Sequence, residues 1–477
     1  MQTSKATRVS DLASGLPLKW VAETLVPTVY GDLSANVHSI CTDTRQGAEG
    51  ALFFALQGEN ADGHRFVGRA FAAGAVAAVV AQKVEGVEGT QLVVPDTLRA
   101  LGNLANAYRR QFDIPVIGIT GSVGKTSTKE MMAAALRTQY RVLANEKNYN
   151  NEIGVPLTLF GLRREHQVAI IEMGMRGFGE IDWLAEIAAP TIGVITNIGY
   201  AHIERVGSRE GIAQAKAELL KRLPQDGVAI LMESEFAPYL RERVPAGAWI
   251  VWCGFGEDSS AEVVALSEGA EPLRVRIAGQ VYDVPFAVVG THHHANALLA
   301  LAVAQVLEVP IPQAIAALST WEGAEGRMTV RKTAEDLTVL DDCYNAGPES
   351  MRAALKTLCQ MAGDGGVAVL GDMREMGEYA AGLHFELGTA VVDAHLRLLI
   401  TVGETTPEIV RGAQIAAAEQ QTGMPQLQHF AATKEAAEHI REWVHSGDTV
   451  LVKGSRAMEM EHIVAALTGE AVRGGHD

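Results

Sequence analysis

A glycine-rich run that ends in lysine, threonine and serine is the part of this sequence best suited to binding phosphate. Residues 120–127 spell Thr-Gly-Ser-Val-Gly-Lys-Thr-Ser, and they lead from an apolar run that starts at Pro115 into a stretch with helical spacing. Glycines let backbone N–H groups converge on phosphate oxygens, and a helix N-terminus adds partial positive charge. Lys125 would then reach the β- and γ-phosphates of a nucleotide, and the Thr126 hydroxyl would bind Mg²⁺.

The run differs from the general phosphate-loop pattern at its first glycine, because position 119 is isoleucine in this chain. The shorter pattern Thr-Gly-x-x-Gly-Lys-Thr remains, after a strand-like run and before a helical one. A glycine-rich turn that binds nothing is the alternative interpretation. We predict that a nucleotide is bound by Thr120, Gly121, Ser122, Val123, Gly124, Lys125, Thr126 and Ser127.

Two strand-like runs that follow this loop end in polar residues. Residues 168–171 lead directly into Glu172, and residues 192–196 lead into Asn197 and, five positions later, His202. Open parallel sheets bind their ligands at the carboxyl ends of the strands, so we expect these side chains beside the phosphate loop. Glu172 is then placed to hold Mg²⁺. A strand-end acid that faces water is the alternative for Glu172, and a structural histidine is the alternative for His202.

Lys216 lies on the apolar face of a helix that Ser208 would cap and that would run to Leu220. A lysine in such a place usually extends its ammonium group to water, and the periodicity favours that interpretation. A buried lysine would instead have a depressed pKa and an amine available for chemistry. The run His292 to His294 predicts no metal site, because three consecutive side chains cannot converge on one face of an element.

The elements that must position these residues alternate between strand-like and helical patterns along the chain. This alternation predicts α/β architecture with parallel sheets. A length of 477 residues suggests about three domains, for which we predict the boundaries 1–112, 113–320 and 321–477. In the last block, strand-like runs end in polar residues or glycine, which predicts a second, smaller doubly wound domain.

The composition argues against several classes of partner, structural site and cellular location. Forty basic and 57 acidic residues leave a net charge of −17, which disfavours a nucleic acid or an anionic membrane as the main partner. The four cysteines show no CxxC spacing, so we expect no disulfide framework and no structural zinc site. The first residues lack the apolar core of a signal peptide, and no apolar stretch approaches the ~20 residues that span a bilayer. We therefore expect a soluble, cytoplasmic protein.

The central block resembles the ATP-binding domain of the Mur ligase family, which also includes folylpolyglutamate synthetase. The family loop TGxxGKT matches residues 120–126, and its asparagine-rich segment before a Gly-x-Pro turn matches the run that begins at Asn148. Its motif near the adenine ends at a position that matches Asn296. The resemblance also implies metal ligands: these are Thr126, Glu172, His202 and Lys216, with Lys216 carbamoylated.

The outer blocks extend this resemblance to nearly the whole chain. In the third block, Arg327 matches a linker arginine that reaches the ATP phosphates, and Asp341 opens a D-D-x-Y-N-A-x-P segment near the nucleotide. The first block resembles a UDP-binding domain of the family. The residues implied to bind the UDP-sugar are Thr42, Asp43, Thr44, Arg45, Gly58, Asp62, Gly63 and His64.

The resemblance implies an N-terminal UDP-binding α/β domain, a central ATPase domain with a parallel sheet, and a C-terminal Rossmann-like domain. It also implies an ATP-dependent amide-bond ligase of peptidoglycan synthesis, with ATP and two Mg²⁺ ions. The implied substrates are UDP-MurNAc-tripeptide and D-alanyl-D-alanine, which would be joined through an acyl phosphate. Lys125, Lys216, His202 and Arg327 would act in catalysis, and we expect a monomer.

Two alternatives remain open from the sequence. The chain could be the related ligase that adds the third amino acid to UDP-MurNAc-dipeptide. It could also be a nucleotide-dependent switch, since proteins of that class share phosphate loops. A guanine switch would carry an Asn-Lys-x-Asp motif, and the nearest match, residues 433–436, lacks the acid.

Overall fold

The computed structural model describes residues 15–58, 61–146, 148–266, 272–286, 290, 292–324 and 326–471. Within these residues the strands form sheets of five, nine and six strands, and a separate antiparallel pair. Most neighbouring strands are parallel, and helices cover the sheets, so the predicted α/β fold class is confirmed. The predicted boundaries after residues 112 and 320 fall in connections between elements. No helix in this part of the chain has the length and apolar character needed to cross a bilayer.

The N-terminal sheet has the order β2-β7-β6-β5-β4, and only β2 runs antiparallel to its neighbour. Its last helix, α3, begins where the Asp96 carboxylate accepts hydrogen bonds from two backbone N–H groups of the first turn. Tyr108 and Arg109, at the end of that helix, donate to backbone carbonyls of the central domain. The elements are β1 (Leu16–Pro17), α1 (Leu18–Leu25), β2 (Thr28–Tyr30), β3 (Asn36–Val37), β4 (Ser39–Cys41), β5 (Ala51–Phe54), α2 (Val67–Ala72), β6 (Ala77–Val80), β7 (Thr90–Val93) and α3 (Thr97–Arg109).

The central sheet has the order β16-β15-β14-β13-β12-β11-β8-β10-β9. Strand β8 pairs in parallel with both β10 and β11, so the three strands end side by side at one edge. The strands are β8 (Val116–Thr120), β9 (Val142–Ala144), β10 (Val168–Glu172), β11 (Ile192–Ile195), β12 (Val228–Met232), β13 (Trp249–Phe255), β14 (Val263–Ala265), β15 (Leu273–Ile277) and β16 (Gln280–Val284). The helices are α4 (Lys125–Leu136), α5 (Gly154–Leu159), α6 (Glu180–Ala188), α7 (Ile203–Val206), α8 (Arg209–Lys216), α9 (Glu218–Lys221), α10 (Ala237–Arg241), α11 (His292–Val306) and α12 (Ile311–Ser319).

The C-terminal sheet has the order β17-β18-β22-β19-β20-β21, in which only β17 is antiparallel. This is the second, smaller doubly wound sheet that the sequence predicts. Its strands are β17 (Thr329–Lys332), β18 (Thr338–Asp341), β19 (Val367–Gly371), β20 (Leu398–Val402), β21 (Gln426–Phe430) and β22 (Thr449–Lys453). Its helices are α13 (Pro348–Ala362), α14 (Ala380–Asp393), α15 (Pro407–Gln420), α16 (Thr433–His439) and α17 (Glu461–Thr468).

A buried ion pair fastens the first two strands of this domain to each other. Arg331 of β17 donates from Nε and Nη2 to Asp341 Oδ2 at the end of β18, at 3.1 and 2.9 Å. The Asp341 side chain is only 5% exposed. A carboxylate at this depth is stable only while its cation is present, because water cannot replace the lost partner.

We therefore expect Arg331→Met to destabilise the protein by about 3–5 kcal/mol, the usual cost of leaving one member of a buried pair uncompensated. The matched control is Arg274→Met on β15, whose guanidinium lies 3.8 Å from Asp283 with both side chains more than half exposed. That change should cost less than about 1 kcal/mol. Urea unfolding of the full-length chain, followed by circular dichroism, compares the two variants. Equal destabilisation by Arg331→Met and Arg274→Met would contradict the assignment of Arg331 and Asp341 as a buried, stabilising ion pair.

Candidate active site

The phosphate loop, residues 120–127, turns at two glycines that cannot be replaced without collision. Strand β8 ends at Thr120, and α4 begins at Lys125 directly after Gly124, whose φ is 84°. A Cβ atom on Gly124 would lie 2.5 Å from Asn296 Oδ1, and a Cβ on Gly121 would collide with the Thr196 hydroxyl. The backbone therefore passes closer to its neighbours than any side chain allows, as phosphate-binding loops require.

The loop lysine folds back over its own turn. Lys125 Nζ donates to the carbonyl of Gly121 at 2.8 Å. Burial lowers the pKa of Lys125, while the carboxylate of Glu172 acts in the opposite direction. The Lys125 side chain is thus held against its own loop, where it can transfer its hydrogen bond from the Gly121 carbonyl to a phosphate oxygen.

Loop 196–202, which follows β11, supports the phosphate loop from the side. Asn197 Oδ1 accepts hydrogen bonds from the backbone N–H groups of Ser122 and Val123, at 3.0 and 2.9 Å. The Thr196 hydroxyl donates to the Val123 carbonyl at 2.6 Å, and the N–H of Gly199 donates to Ser122 Oγ at 2.9 Å. The prediction that Asn197 lies beside the phosphate loop is confirmed.

Glu172 is buried at the end of β10 with half of its carboxylate satisfied. Glu172 is only 2% exposed, and its Oε1 accepts a hydrogen bond from Asn150 Nδ2 at 2.8 Å. Among the described residues, Oε2 has no hydrogen-bond partner, and its nearest cation is Lys129 Nζ at 4.0 Å. The buried Thr120 hydroxyl likewise finds no partner there. An unsatisfied carboxylate oxygen beside a phosphate loop fits a hard cation that prefers oxygen ligands, so the surroundings of Glu172 suit Mg²⁺.

Two residues that the sequence analysis missed, Asn145 and Lys129, hold Glu172 in place together with Asn150 of the asparagine-rich run. The amide of Asn145 accepts from the Glu172 N–H at 2.9 Å and donates to its carbonyl at 3.0 Å. Lys129 donates to the Asn145 carbonyl at 2.7 Å, and Asn150 contacts the carboxylate itself. Asn148, the predicted member of this segment, is exposed in the turn between them. The spacing of Lys129, one helical turn after Lys125, is the signal that could have identified it.

Lys216 is buried, at 1% exposure, so the expectation that it extends to water is wrong. Ser208 caps α8 as predicted, by accepting from the Gly211 N–H at 3.1 Å, but the helix ends at Lys216 rather than at Leu220. Burial lowers the pKa of Lys216 well below its ordinary value, and the charge of nearby Lys125 lowers it further. Both effects favour the neutral amine over the ammonium form of this side chain.

His202 contacts the C-terminal domain. Its Nδ1 lies 2.6 Å from Glu375 Oε2, and this histidine lowers the pKa of the Glu375 carboxyl. No cluster of three His, Cys, Asp or Glu side chains suited to a metal occurs in the described ranges. A metal site at the loop would therefore depend on Glu172 together with hydroxyl and lysine groups, and the role of His202 as a ligand stays a prediction.

The linker arginine reaches the phosphate loop from the C-terminal side. Arg327 Nη2 lies 3.4 Å from Thr126 Oγ1, and its guanidinium covers the ring of Tyr344 at 4.4 Å. The buried Asn296 accepts a hydrogen bond from Thr128 at 3.0 Å, next to the same loop. Asp341 is occupied by its ion pair within the C-terminal domain, so its contact with a nucleotide also stays a prediction.

The predicted UDP-sugar residues form two hydrogen-bonded turns of the N-terminal domain. The Arg45 guanidinium donates from Nε and Nη2 to the two carboxylate oxygens of Asp43, at 2.6–3.0 Å. The Arg45 side chain is 82% exposed. His64 Nδ1 lies 2.7 Å from Asp62 Oδ1, and its Nε2 accepts from the Ala81 N–H at 2.8 Å. Gly63 has no room for a side chain, since a Cβ would lie 2.6 Å from the Leu56 carbonyl oxygen. Arg45 thus presents a cation to solvent, whereas both ring nitrogens of His64 are used within the domain.

Comparison with known sequences and structures gives consistent results. Three family profiles match, namely "Mur ligase family, catalytic domain" at 36–109, "Mur ligase middle domain" at 119–304 and "Mur ligase, glutamate ligase domain" at 326–456. The UDP-N-acetylmuramoyl-tripeptide–D-alanyl-D-alanine ligase of Bacillus subtilis is 36% identical over 90% of this chain and 93% of that protein. A crystal structure of MurF from Acinetobacter baumannii superposes with a TM-score of 0.87 at 32% identity, covering 96% of this chain and 99% of that one. MurF from Thermotoga maritima in complex with ADP gives 0.78 at 26% identity, with coverages of 90% and 97%.

Removal of the loop ammonium group tests the phosphate site. We expect Lys125→Ala to weaken binding of a non-hydrolysable ATP analogue by about 10- to 100-fold, the range for loss of one charge-assisted hydrogen bond. The control is Lys434→Ala on the exposed face of α16, which should leave the affinity unchanged. Titration calorimetry measures both affinities, and circular dichroism verifies the fold. An unchanged affinity for Lys125→Ala would exclude this loop as the phosphate site.

Proposed function

The chain belongs to the Mur ligase family, and from this premise we propose that it joins D-alanyl-D-alanine to UDP-MurNAc-tripeptide at the expense of ATP. The observation that carries the proposal is the extent of similarity to ligases of that name, which for the Bacillus subtilis protein is 36% identity across 90% of the chain. The similarity includes the N-terminal domain, which a nucleotide switch would not need. It also favours this activity over addition of the third amino acid. We expect a cytoplasmic monomer.

The geometry suggests how the chain would carry out the first half of the reaction. The loop N–H groups and Lys125 would hold the ATP phosphates, and Arg327 would approach them past Thr126. A carboxylate oxygen of the tripeptide would attack the γ-phosphorus, which yields an acyl phosphate and ADP. Positioning and charge neutralisation provide most of the rate in such transfers. The amine would then attack the acyl carbon, and inorganic phosphate would leave.

The residues around Glu172 would hold the metal. Glu172 and Thr126 provide oxygen ligands, and Lys216 becomes a further anionic ligand if its amine is carbamoylated. Burial supports this modification, because CO2 reacts only with a neutral amine. Mg²⁺ bound there would supply positive charge that screens the repulsion between ATP and the substrate carboxylate. His202 would join the site once Glu375 releases it.

We propose that the N-terminal domain binds the UDP-sugar. The turn 42–45, Gly58 and residues 62–64 belong to this domain, whereas the phosphate loop belongs to the central domain. The exposed Arg45 guanidinium is suited to a diphosphate. Separate domains would then deliver the two anionic substrates to the edge of the central sheet.

The activity is tested by phosphate release with each UDP-MurNAc-peptide and a panel of amines. With UDP-MurNAc-tripeptide and ATP, we expect turnover to require D-alanyl-D-alanine, because a ligase of that name matches 90% of the chain. UDP-MurNAc-dipeptide with single amino acids, including meso-diaminopimelate and L-lysine, should give only background release. Turnover with dipeptide and a single amino acid would identify the chain as the third-residue ligase instead.

The carbamate is tested by replacement of Lys216. We expect Lys216→Ala to be nearly inactive while it still binds the ATP analogue, since the loop itself is unchanged. Formate or acetate should restore part of the rate by occupying the vacated ligand position. The matched control is Lys221→Ala, an exposed lysine on the neighbouring helix α9. Wild-type activity of Lys216→Ala in CO2-depleted buffer would rule out the carbamate.

A further inference from the structure

Glu349 is a carboxylate of the C-terminal domain that lies against the nucleotide side of the central domain. It lies in the first turn of α13 and packs against loop 196–202. The contact is so close that a Cβ atom on Gly199 would lie 2.6 Å from Glu349 Oε1. The N–H of the same Gly199 donates to Ser122 Oγ of the phosphate loop. One residue therefore separates this carboxylate from the loop that would hold the reacting phosphates.

One oxygen of this carboxylate is buried and unsatisfied. Oε2 has no hydrogen-bond partner within the part of the chain that the structure describes. Burial raises the pKa of the Glu349 carboxyl, although the N–H groups of Glu349 and Tyr200 oppose the shift. A buried oxygen of this kind costs stability unless a donor arrives from outside the chain.

The cations near Glu349 are already engaged by other carboxylates. Arg209, from α8, donates to Glu235 at 2.6 Å and to the Ile198 carbonyl at 3.1 Å. Arg352, one turn further along α13, donates to Glu386 at 3.3 Å. Both guanidinium groups act on Glu349 only through their longer-range charge. Among the described residues, Glu349 therefore forms no ion pair, although it lies against the loop that supports the phosphate loop.

We propose that Glu349 receives the ammonium group of the incoming D-alanyl-D-alanine and takes a proton from it. The inference rests on the proposed function and assigns a catalytic residue for its second half. D-alanyl-D-alanine arrives as an ammonium ion and can attack only as a free amine. Glu349 provides the negative charge that holds this group at the boundary between the two domains, and Oε2 provides the base.

The proposed step balances as follows. One ammonium proton moves to Glu349 Oε2, and the nitrogen lone pair forms a bond to the acyl carbon of the acyl phosphate. The bond from that carbon to the phosphate oxygen then breaks, and the phosphate leaves with its electron pair. The departing phosphate carries the second nitrogen proton, and Glu349 returns its own proton to solvent.

The experiment uses hydroxylamine to distinguish a defect in the use of the amine from a defect in formation of the acyl phosphate. Hydroxylamine is small and largely uncharged at neutral pH, and it converts an acyl phosphate to a hydroxamate without an ammonium site. For Glu349→Gln we expect kcat/KM for D-alanyl-D-alanine to fall by about 10²-fold, the lower range for loss of a general base. We expect KM to rise and kcat to fall together, while hydroxamate formation from UDP-MurNAc-tripeptide and ATP stays at the wild-type rate. The control is Glu419→Gln on the exposed surface of α15, which should match wild type in both assays.

Two results would overturn the assignment. The first is a wild-type kcat/KM for D-alanyl-D-alanine in Glu349→Gln. The second is an equal loss of ligation and hydroxamate formation, which would show that Glu349 acts on the nucleotide side or on folding. Failure of the proposed function looks different, since the wild-type protein would then form no amide with D-alanyl-D-alanine. In that case, loss in Glu349→Gln of turnover with the amine that wild type does use would still support the ammonium site.

Discussion

The parallel pairing of β8 with β10 and β11 is the constraint on which the site depends. It brings the phosphate loop, Glu172 and loop 196–202 to one edge of the central sheet. The loop passes so close to Thr196 and Asn296 there that Gly121 and Gly124 leave no space for a Cβ. Asn197 and Thr196 then fix the turn through its backbone groups. A side chain at either glycine would force this edge apart and separate the phosphate-binding groups from the metal-binding ones.

Several charged groups at this edge are buried without full compensation. Glu172 keeps one oxygen without a hydrogen bond among the described residues, and burial depresses the pKa values of Lys125 and Lys216. Such groups reduce the stability of the free protein, since each loses its hydration. They are the groups that MgATP and an anionic substrate would satisfy. We therefore interpret them as a preorganised binding site. The loss of stability that these buried groups cause is offset by packing elsewhere in the fold.

The C-terminal domain contributes to this site through contacts with the phosphate loop and with loop 196–202. Arg327 approaches Thr126, Glu375 contacts His202, and Glu349 lies against Gly199. The hydroxyl of Tyr379 adds a hydrogen bond to the Gly207 carbonyl at 2.9 Å. Rotation of this domain would change all of these contacts together. The position of the domain is thus coupled to the charges that surround the phosphates, and ligands that need those charges will favour one arrangement.

Features that depend on neighbours in sequence could be predicted from the sequence alone. The phosphate loop needs only glycines and the start of a helix, and Ser208 caps α8 through a residue three positions away. In the C-terminal domain, the strand-like runs at 337–340, 366–370, 396–402 and 449–452 correspond to β18, β19, β20 and β22. The strand-end pattern already indicated Glu172, whereas the resemblance to a family added Arg327 and the metal-binding role of Lys216, which periodicity alone could not identify.

The remaining features required partners that are distant in the sequence. Lys216 is buried because α8 and α9 fold onto β8, where Leu219 packs against Gly118. Asn145 holds Glu172 across 27 positions, Arg327 meets Thr126 across 201, and Glu349 meets a loop of another domain. The sequence around a residue shows whether its side chain is polar. Whether that side chain is buried, and whether its charge is compensated, depends on all the groups that pack around it in the folded protein. Those surroundings exist only after the sheets have paired and the domains have docked.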